Sequence, residues 1–367
     1  MNLKLFNIET EEDFRQVCLE TFCYQYENIE VYKKFVNYLK INPLEINRIG
    51  DIPFLPIEMF KNHLILDKNS RVEKYFQSSG TADIQTRSRH FIADFSLYEK
   101  SIYKSFRQFI GKPEDFIVLG LLPNYSENPH SSLIYMVDFL MKKSAKLENG
   151  YFLYNHAELF NLLMNLKNKK IILFGVSFAL LDFLYFIKEK SLKFINHEIE
   201  FSIIETGGMK GRKEEMTKDE LLKILQNGFQ TERIFSEYSM TELLSQAYSS
   251  GKNIYETPNW MRILVRNTED PFSYVEAGKT GAVNIIDLAN VHSCSFIATQ
   301  DLGRTVSDEK NPDSELPFDF TQDDKMCQVD TSATLSVTSR NPIQNPKFEI
   351  LGRIDHSDIR GCSLLIS

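Results

Sequence analysis

KIILFGVSFALLDFLYFIKEKSLKFINHEIEFSII, residues 170–204, sets two short β-type runs on either side of a helical one. Lys170–Phe174 and Ile199–Ile204 are brief apolar runs rich in β-branched and aromatic residues, which predicts buried strands. From Ser177 the apolar residues recur at helical spacing instead. Strand, helix, strand in succession is the repeating unit of an α/β sheet.

The same rhythm extends in both directions. Phe116–Leu122 predicts a strand before a helix starting near Ser131, and Glu220–Leu225 predicts the helix after Ile199–Ile204. Ala282–Ile286 and Ser295–Ala298 predict shorter strands among Asp, Asn and Gly, hence a smaller mixed β region near the C-terminal end. No internal repeat is visible. At the N-terminal end, Phe14, Val17, Cys18, Phe22 and Tyr26, then Tyr32, Phe35, Val36 and Leu39, predict an amphipathic helix over Glu11–Leu39, closed by Asn42-Pro43. Asp51–Glu58 holds Pro53 and Pro56, which rules out helix interior and predicts a stiff extended connection. Thr305–Lys347 is dominated by Asp, Glu, Ser, Thr, Asn, Gln and Pro and reads as a polar insertion, with Ala333–Val337 as one edge strand. The sequence therefore divides into 1–60, helical with a Pro-rich connection; 61–304, an α/β core; 305–347, the insertion; and 348–367, a charged C-terminal segment.

Composition narrows the function classes. The 367 residues are 43% hydrophobic, enough for a sizeable core. Lys plus Arg number 42 against 50 Asp plus Glu, a net charge of -8, so nothing favours a nucleic-acid backbone as partner. No apolar run reaches the roughly 18–20 residues of a bilayer span, and MNLKLFNIETEEDF turns acidic before a signal-like apolar region forms, which predicts a cytoplasmic protein. Five scattered cysteines, 18, 23, 294, 327 and 362, predict free thiols, and Cys362, in a segment rich in charge and glycine, stands out as a nucleophile.

Five short segments could carry chemistry. YFQSSGTA at 75–82 can turn backbone N–H groups and hydroxyls toward an anion, with Arg87, Arg89 and His90 following; an ordinary hairpin turn has the same composition. ETGGMKG at 205–211 runs from a strand into a glycine turn that lets a ligand approach the backbone, or is a plain corner. SEYSMTEL at 236–243 places a ring, a hydroxyl and a carboxylate together, suited to a purine, a phosphate and Mg²⁺. TQDLGR at 299–304 reads as an Asp at a strand end before a glycine turn, suited to ribose hydroxyls. LGRIDHSDIRGC at 351–362 is dense in charge and reads equally well as a solvated hairpin; in an extended chain Arg353 and Asp355 share a side.

In their order these five segments resemble the motifs of adenylate-forming enzymes, and more closely those of LuxE-type acyl-protein synthetases, the acid-activating component of bacterial bioluminescence fatty acid reductases. IPFLPIEMFK, LLPNYS with SSLIYMVDFL, and IIDLANVHSCSFIA are similar to that family too, so the resemblance spans nearly everything outside 305–347. It implies an α/β fold, the large domain of adenylate-forming enzymes, with a helical N-terminal segment and a smaller β-rich C-terminal region. It implies a reaction in which a fatty or related carboxylic acid attacks the α-phosphate of ATP, and a thiolate then takes the acyl group from the adenylate. On this resemblance Ser78, Ser79, Gly80 and Thr81 hold the departing phosphates, with Gly207 and Gly208 in the glycine turn beside the nucleotide. Tyr238 flanks adenine, Thr241 contacts phosphate and Glu242 binds Mg²⁺. Asp301 takes the ribose hydroxyls, Arg353 contacts ribose or phosphate, and Asp355 marks a hinge. Cys362 matches the acceptor cysteine, which passes the acyl group to a reductase or an acyl carrier protein.

Three departures accompany the resemblance. SSGTADIQ lacks the second glycine and the lysine usual in adenylate-forming enzymes, leaving Arg87 or Arg89 to substitute; Ser239 stands where glycine is usual; and only residues 354–367 follow Arg353, without the mobile C-terminal domain of most of the superfamily. A thiol acceptor needs a depressed pKa or a base, for which Arg360, His356 and His292 are at hand, although a structural role for each histidine is the better expectation. Two other readings stay open: direct transfer to a carrier protein, coenzyme A or an amine, and a nucleotide-binding relative without turnover.

Overall fold

The computed structural model describes residues 4–79, 87–124, 126–194, 198–207, 216–306, 342–343 and 345–354. Thr10 opens α1 (Glu11–Asn28) with a capping box closed by Asp13. Ile29 then interrupts the predicted helix, and α2 (Glu30–Tyr38) starts afresh. The apolar spacing slips between Tyr26 and Tyr32, and the extended, fully buried Ile29 absorbs that slip. There follow β1 (Leu55–Pro56), a single turn α3 (Met59–Asn62), β2 (Lys74–Gln77), β3 (Arg89–Ile92), α4 (Phe95–Phe109), capped by Asp94, and β4 (Phe116–Leu121). Ser131 caps α5 (Ser132–Ser144), which leads to β5 (Gly150–Tyr151), α6 (His156–Asn165), β6 (Lys169–Val176), α7 (Ser177–Glu189) and β7 (Ile199–Thr206). Next come α8 (Lys218–Phe229), β8 (Ile234–Tyr238), β9 (Ala247–Ser250), β10 (Tyr255–Glu256), β11 (Met261–Arg266), β12 (Gly281–Asp287), β13 (Phe296–Val306) and β14 (Lys347–Arg353). The edge strand expected at 333–337 lies outside the described residues.

Contacts gather the chain into two units: one takes its described residues from 1–74, 88–93 and 256–354, the other from 75–87 and 94–255. In the second, the strand order is β9-β8-β7-β6-β4-β5, parallel except for the antiparallel β9. Leu119, Leu173 and Ile203 on one face of this sheet pack against Leu159 of α6, Phe183 of α7 and Leu225 of α8. Each fully buried Leu or Phe contributes about 1.5–3 kcal/mol. Phe106 of α4 meets Phe116 of β4 edge-on at 6.2 Å.

In the first unit β11, β12, β13 and β14 form an antiparallel meander, and β1 runs parallel to β13, with Leu55 opposite Ile297. The proline-rich connection is extended at Ile52 and over Leu55–Pro56, as predicted, while Asp51 ends a 3-10 turn and Glu58 already turns into α3. Phe22 of α1 and Tyr32 of α2 pack on Phe296, and the Gln25 amide donates to the carbonyls of Asn290 and Val291. Among the described residues no helix is long and apolar enough to cross a membrane. Cys18 and Cys294 are free and buried, as the scatter of the cysteines predicts.

Candidate functional site

Parallel register decides which motifs come together. Gly175 lies opposite Glu205, and Glu205 opposite Ser236, so β6, β7 and β8 all end at one edge of the sheet. The carboxyl edge of such a sheet is where α/β proteins bind ligands. β7 delivers the glycine turn there and β8 delivers the SEYSMTEL segment.

At the end of β7, Gly207 adopts φ +79°, a conformation that glycine tolerates best, and a Cβ placed on it would meet nothing within 4 Å among the described residues. Gly208 lies outside the described residues. The Ser177 hydroxyl, at the start of α7, hydrogen-bonds the Gly207 carbonyl at 2.9 Å and also reaches Glu205. Glu205 is completely buried and pairs with Lys218, the first residue of α8.

β8 ends at Tyr238, whose half-buried ring lies 5.9 Å from that of Tyr255 at an interplanar angle of 59°. Thr241, half-buried, and Glu242, buried, follow in the turn beyond it. Beside Tyr238, Glu237 accepts a 2.5 Å hydrogen bond from Thr206 on the neighbouring strand. Burial raises the Glu237 pKa above the ordinary carboxylate range, and the Glu205 charge adds to the rise; hydrogen bonds from Ser239 and Thr206 and the Lys218 charge oppose it.

Ahead of the hydroxyl-rich loop, Phe76 of β2 is fully buried against Phe95, Tyr98 and Tyr135. Tyr75 stacks on His130 with ring centroids 4.2 Å apart and planes 11° from parallel, and the Gln77 N–H donates to the His130 carbonyl at 2.8 Å. These contacts deliver Ser78, half-buried, and Ser79, exposed; Gly80 and Thr81 lie outside the described residues. His130 was missed in the sequence. It lies in the gap between the family-like strings LLPNYS and SSLIYMVDFL, and nothing there announced Tyr75 as its partner. Arg87 is exposed.

In the other unit, Asp301 lies within β13, not at a strand end before a turn as its sequence suggests. The strand runs on through Gly303 because a Cβ there would stand 2.6 Å from the Glu349 carbonyl oxygen, so glycine serves close strand approach rather than a turn. Asp301 faces Arg353 across the ladder, and the Arg353 Nε donates to its Oδ1 at 3.1 Å. The Asp301 side chain is 12% exposed and that of Arg353 57%, so the guanidinium remains open to a ligand while oriented by the carboxylate. Asp355, His356 and Cys362 lie outside the described residues.

His90, read as a cation beside the hydroxyl loop, is instead buried, edge-on to Phe60 and hydrogen-bonded to Ser293 at 2.8 Å. His292 holds its Nδ1 3.4 Å from Asp67, which Tyr24 also engages. Burial pushes the Cys294 thiol up to about 12 and the Cys18 thiol higher still, so neither is a thiolate at neutral pH.

The chain matches none of the curated proteins. It resembles, at 12% identity, 2-hydroxyisobutyryl-CoA ligase in an open conformation with 2-HIB-AMP and CoA; the TM-score is 0.62 over 82% of this chain and 67% of that one. The same ligase in the postadenylation state with R3-HIB-AMP gives 0.61 at 12% identity, over 82% and 64%. The ATP-bound RpMatB-BxBclM chimera B3 gives 0.50 at 12% identity, over 78% of this chain and 49% of that one. The chain thus spans about two thirds of the length of the first ligase and half that of the second. Its fold is that of the adenylate-forming ligases, and residues 2–114 match the family of LuxE acyl-protein synthetases.

Proposed function

We propose that the protein activates a carboxylic acid, a fatty acid or a relative of one, with ATP. The carboxylate attacks the α-phosphate, forming a mixed anhydride with AMP and releasing pyrophosphate; a thiolate then attacks the acyl carbon and AMP departs. The observation that carries this reading is the delivery of Gly207, in its left-handed conformation, and the Tyr238–Glu242 segment to one carboxyl edge of a parallel sheet. The fold and the LuxE match support it independently.

In this reading the Tyr238 ring flanks the adenine and Thr241 donates to phosphate. Glu242 is the residue that would hold Mg²⁺. Mg²⁺ in nucleotide sites takes one or two carboxylates and draws its other oxygens from phosphates and water. When bound, the ion neutralises charge that builds on departing pyrophosphate. Ser78 and Ser79, with Gly80 and Thr81, cradle the same group, and Asp301 and Arg353 bind the ribose and the α-phosphate side. The resemblance assigns the acceptor role to Cys362, and the unreactive Cys18 and Cys294 leave that role unchallenged by either. Delivery then runs to a reductase or a carrier protein inside the cell.

The test is the intact mass of the protein after incubation with Mg·ATP and a pool of acids, before and after hydroxylamine. One acyl mass on the parent, removed by hydroxylamine and absent from Cys362→Ser, supports the full reading. Pyrophosphate exchange without an adduct moves the acceptor to an outside thiol or amine. Neither signal overturns it.

A further inference from the structure

The carboxylate–lysine pair behind the glycine turn is costly for a structural tie. Glu205 is completely buried and the Lys218 side chain only 20% exposed, so both charges lose water on folding. Lys218 also opens α8, where the helix dipole disfavours a cation. Apolar residues of similar size would hold strand to helix as well or better. What they would not do is fix polar partners in a chain, and a chain is what this pair sits in. The Glu205 carboxylate meets the Ser177 hydroxyl, which also holds the Gly207 carbonyl. Lys218 hydrogen-bonds Tyr255 as well as Glu205. The Tyr255 ring packs on the Tyr238 ring. From the backbone of Gly207 to the ring of Tyr238, every link is a hydrogen bond, an ion pair or a ring contact.

We propose that Glu205 and Lys218 are positioning residues, which with Ser177 and Tyr255 set the Gly207 backbone and the Tyr238 ring in one fixed relation for a nucleotide to bind. The proposal rests on the nucleotide-binding reading above. Lys218 does not touch the nucleotide; it acts through Tyr255 and through the Gly207 backbone.

The experiment is calorimetric titration of the full chain with Mg·ATP, alongside thermal melting, for the parent, Lys218→Met, Lys218→Arg and Tyr255→Phe. Loss of a fixed relation between two binding segments should weaken ATP binding roughly tenfold or more in K218M at temperatures well below its melting point. K218R, which keeps the charge, should bind at least about threefold tighter than K218M. Y255F removes only the hydroxyl link and should weaken binding by a few-fold with the melting temperature nearly unchanged. K218M binding ATP as the parent does, despite a lowered melting temperature, overturns the proposal by making the pair merely structural. Should K218M not fold, Y255F decides: parent-like affinity overturns the proposal. A parent that does not bind Mg·ATP overturns the nucleotide reading and the proposal with it, so the two failures are told apart by the first titration.

Discussion

Two carboxylate–cation pairs, one in each unit, are opposite in burial. Glu205–Lys218 has a carboxylate with no exposure at all, while Asp301–Arg353 has a guanidinium more than half exposed. Coulomb attraction between unit charges is many times stronger out of water than in it, but so is the cost of stripping the charges of solvent. The inner pair is therefore rigid and intolerant of losing one member. The outer pair is worth little to folding and leaves its cation available. Equal chemistry thus serves two purposes, holding shape in one place and presenting charge in the other.

Breaking the inner pair should give the largest effect. Glu205→Ala strands the Lys218 ammonium and is expected to cost about 3–5 kcal/mol in urea denaturation; a loss under about 1 kcal/mol would mean the two pairs are energetically alike and the contrast is void.

A subtler probe is the carboxyl that neighbours the inner pair. The Glu237 pKa is raised above its ordinary 4.5 by burial, so the folded state binds a proton more tightly than the unfolded chain does. Its contribution to stability is complete below that ordinary value and is lost as the pH rises through the raised one. Glu237→Gln removes this dependence. The urea midpoint of the variant relative to the parent should therefore rise between pH 5 and pH 8; a constant difference would show that Glu237 titrates normally.

Smaller again is the cap that seats Lys218. Thr217 accepts from the Glu220 N–H while Glu220 accepts from the Thr217 N–H, and Thr217→Ala should cost about 1 kcal/mol by the same denaturation assay. Last comes the outer pair: Arg353→Ala should change stability by less than about 1 kcal/mol yet weaken Mg·ATP binding several-fold. A large fall in stability would erase the distinction drawn between the pairs.

The α/β rhythm was legible because β4 and the stretch Ile171–Phe174 of β6, buried on both faces, are continuous apolar runs, with a helical period between them and β7. Helix starts were readable where a hydroxyl caps them, as at Ser131. The break at Ile29 was not, because a single buried residue between two helical patterns leaves no Gly or Pro to mark it. The motifs in ETGGMKG and SEYSMTEL were visible as local strings, yet their convergence comes from the pairing of β7 with β8, which no local string contains. Glu205 heads the ETGGMKG string, but no residue of that string points to Lys218, thirteen positions on, as its partner. Asp301 was found for its chemistry and misplaced in its geometry; a glycine two residues on means a turn far more often than a close strand crossing.

Gly303 carries a genetic consequence. The obstacle to any side chain at that position is the backbone oxygen of residue 349, 2.6 Å from where a Cβ would stand. A backbone atom cannot be traded for a smaller one by mutation. Selection for second-site suppressors of Gly303→Val should therefore return no compensating change at 349, and revertants should recover glycine itself.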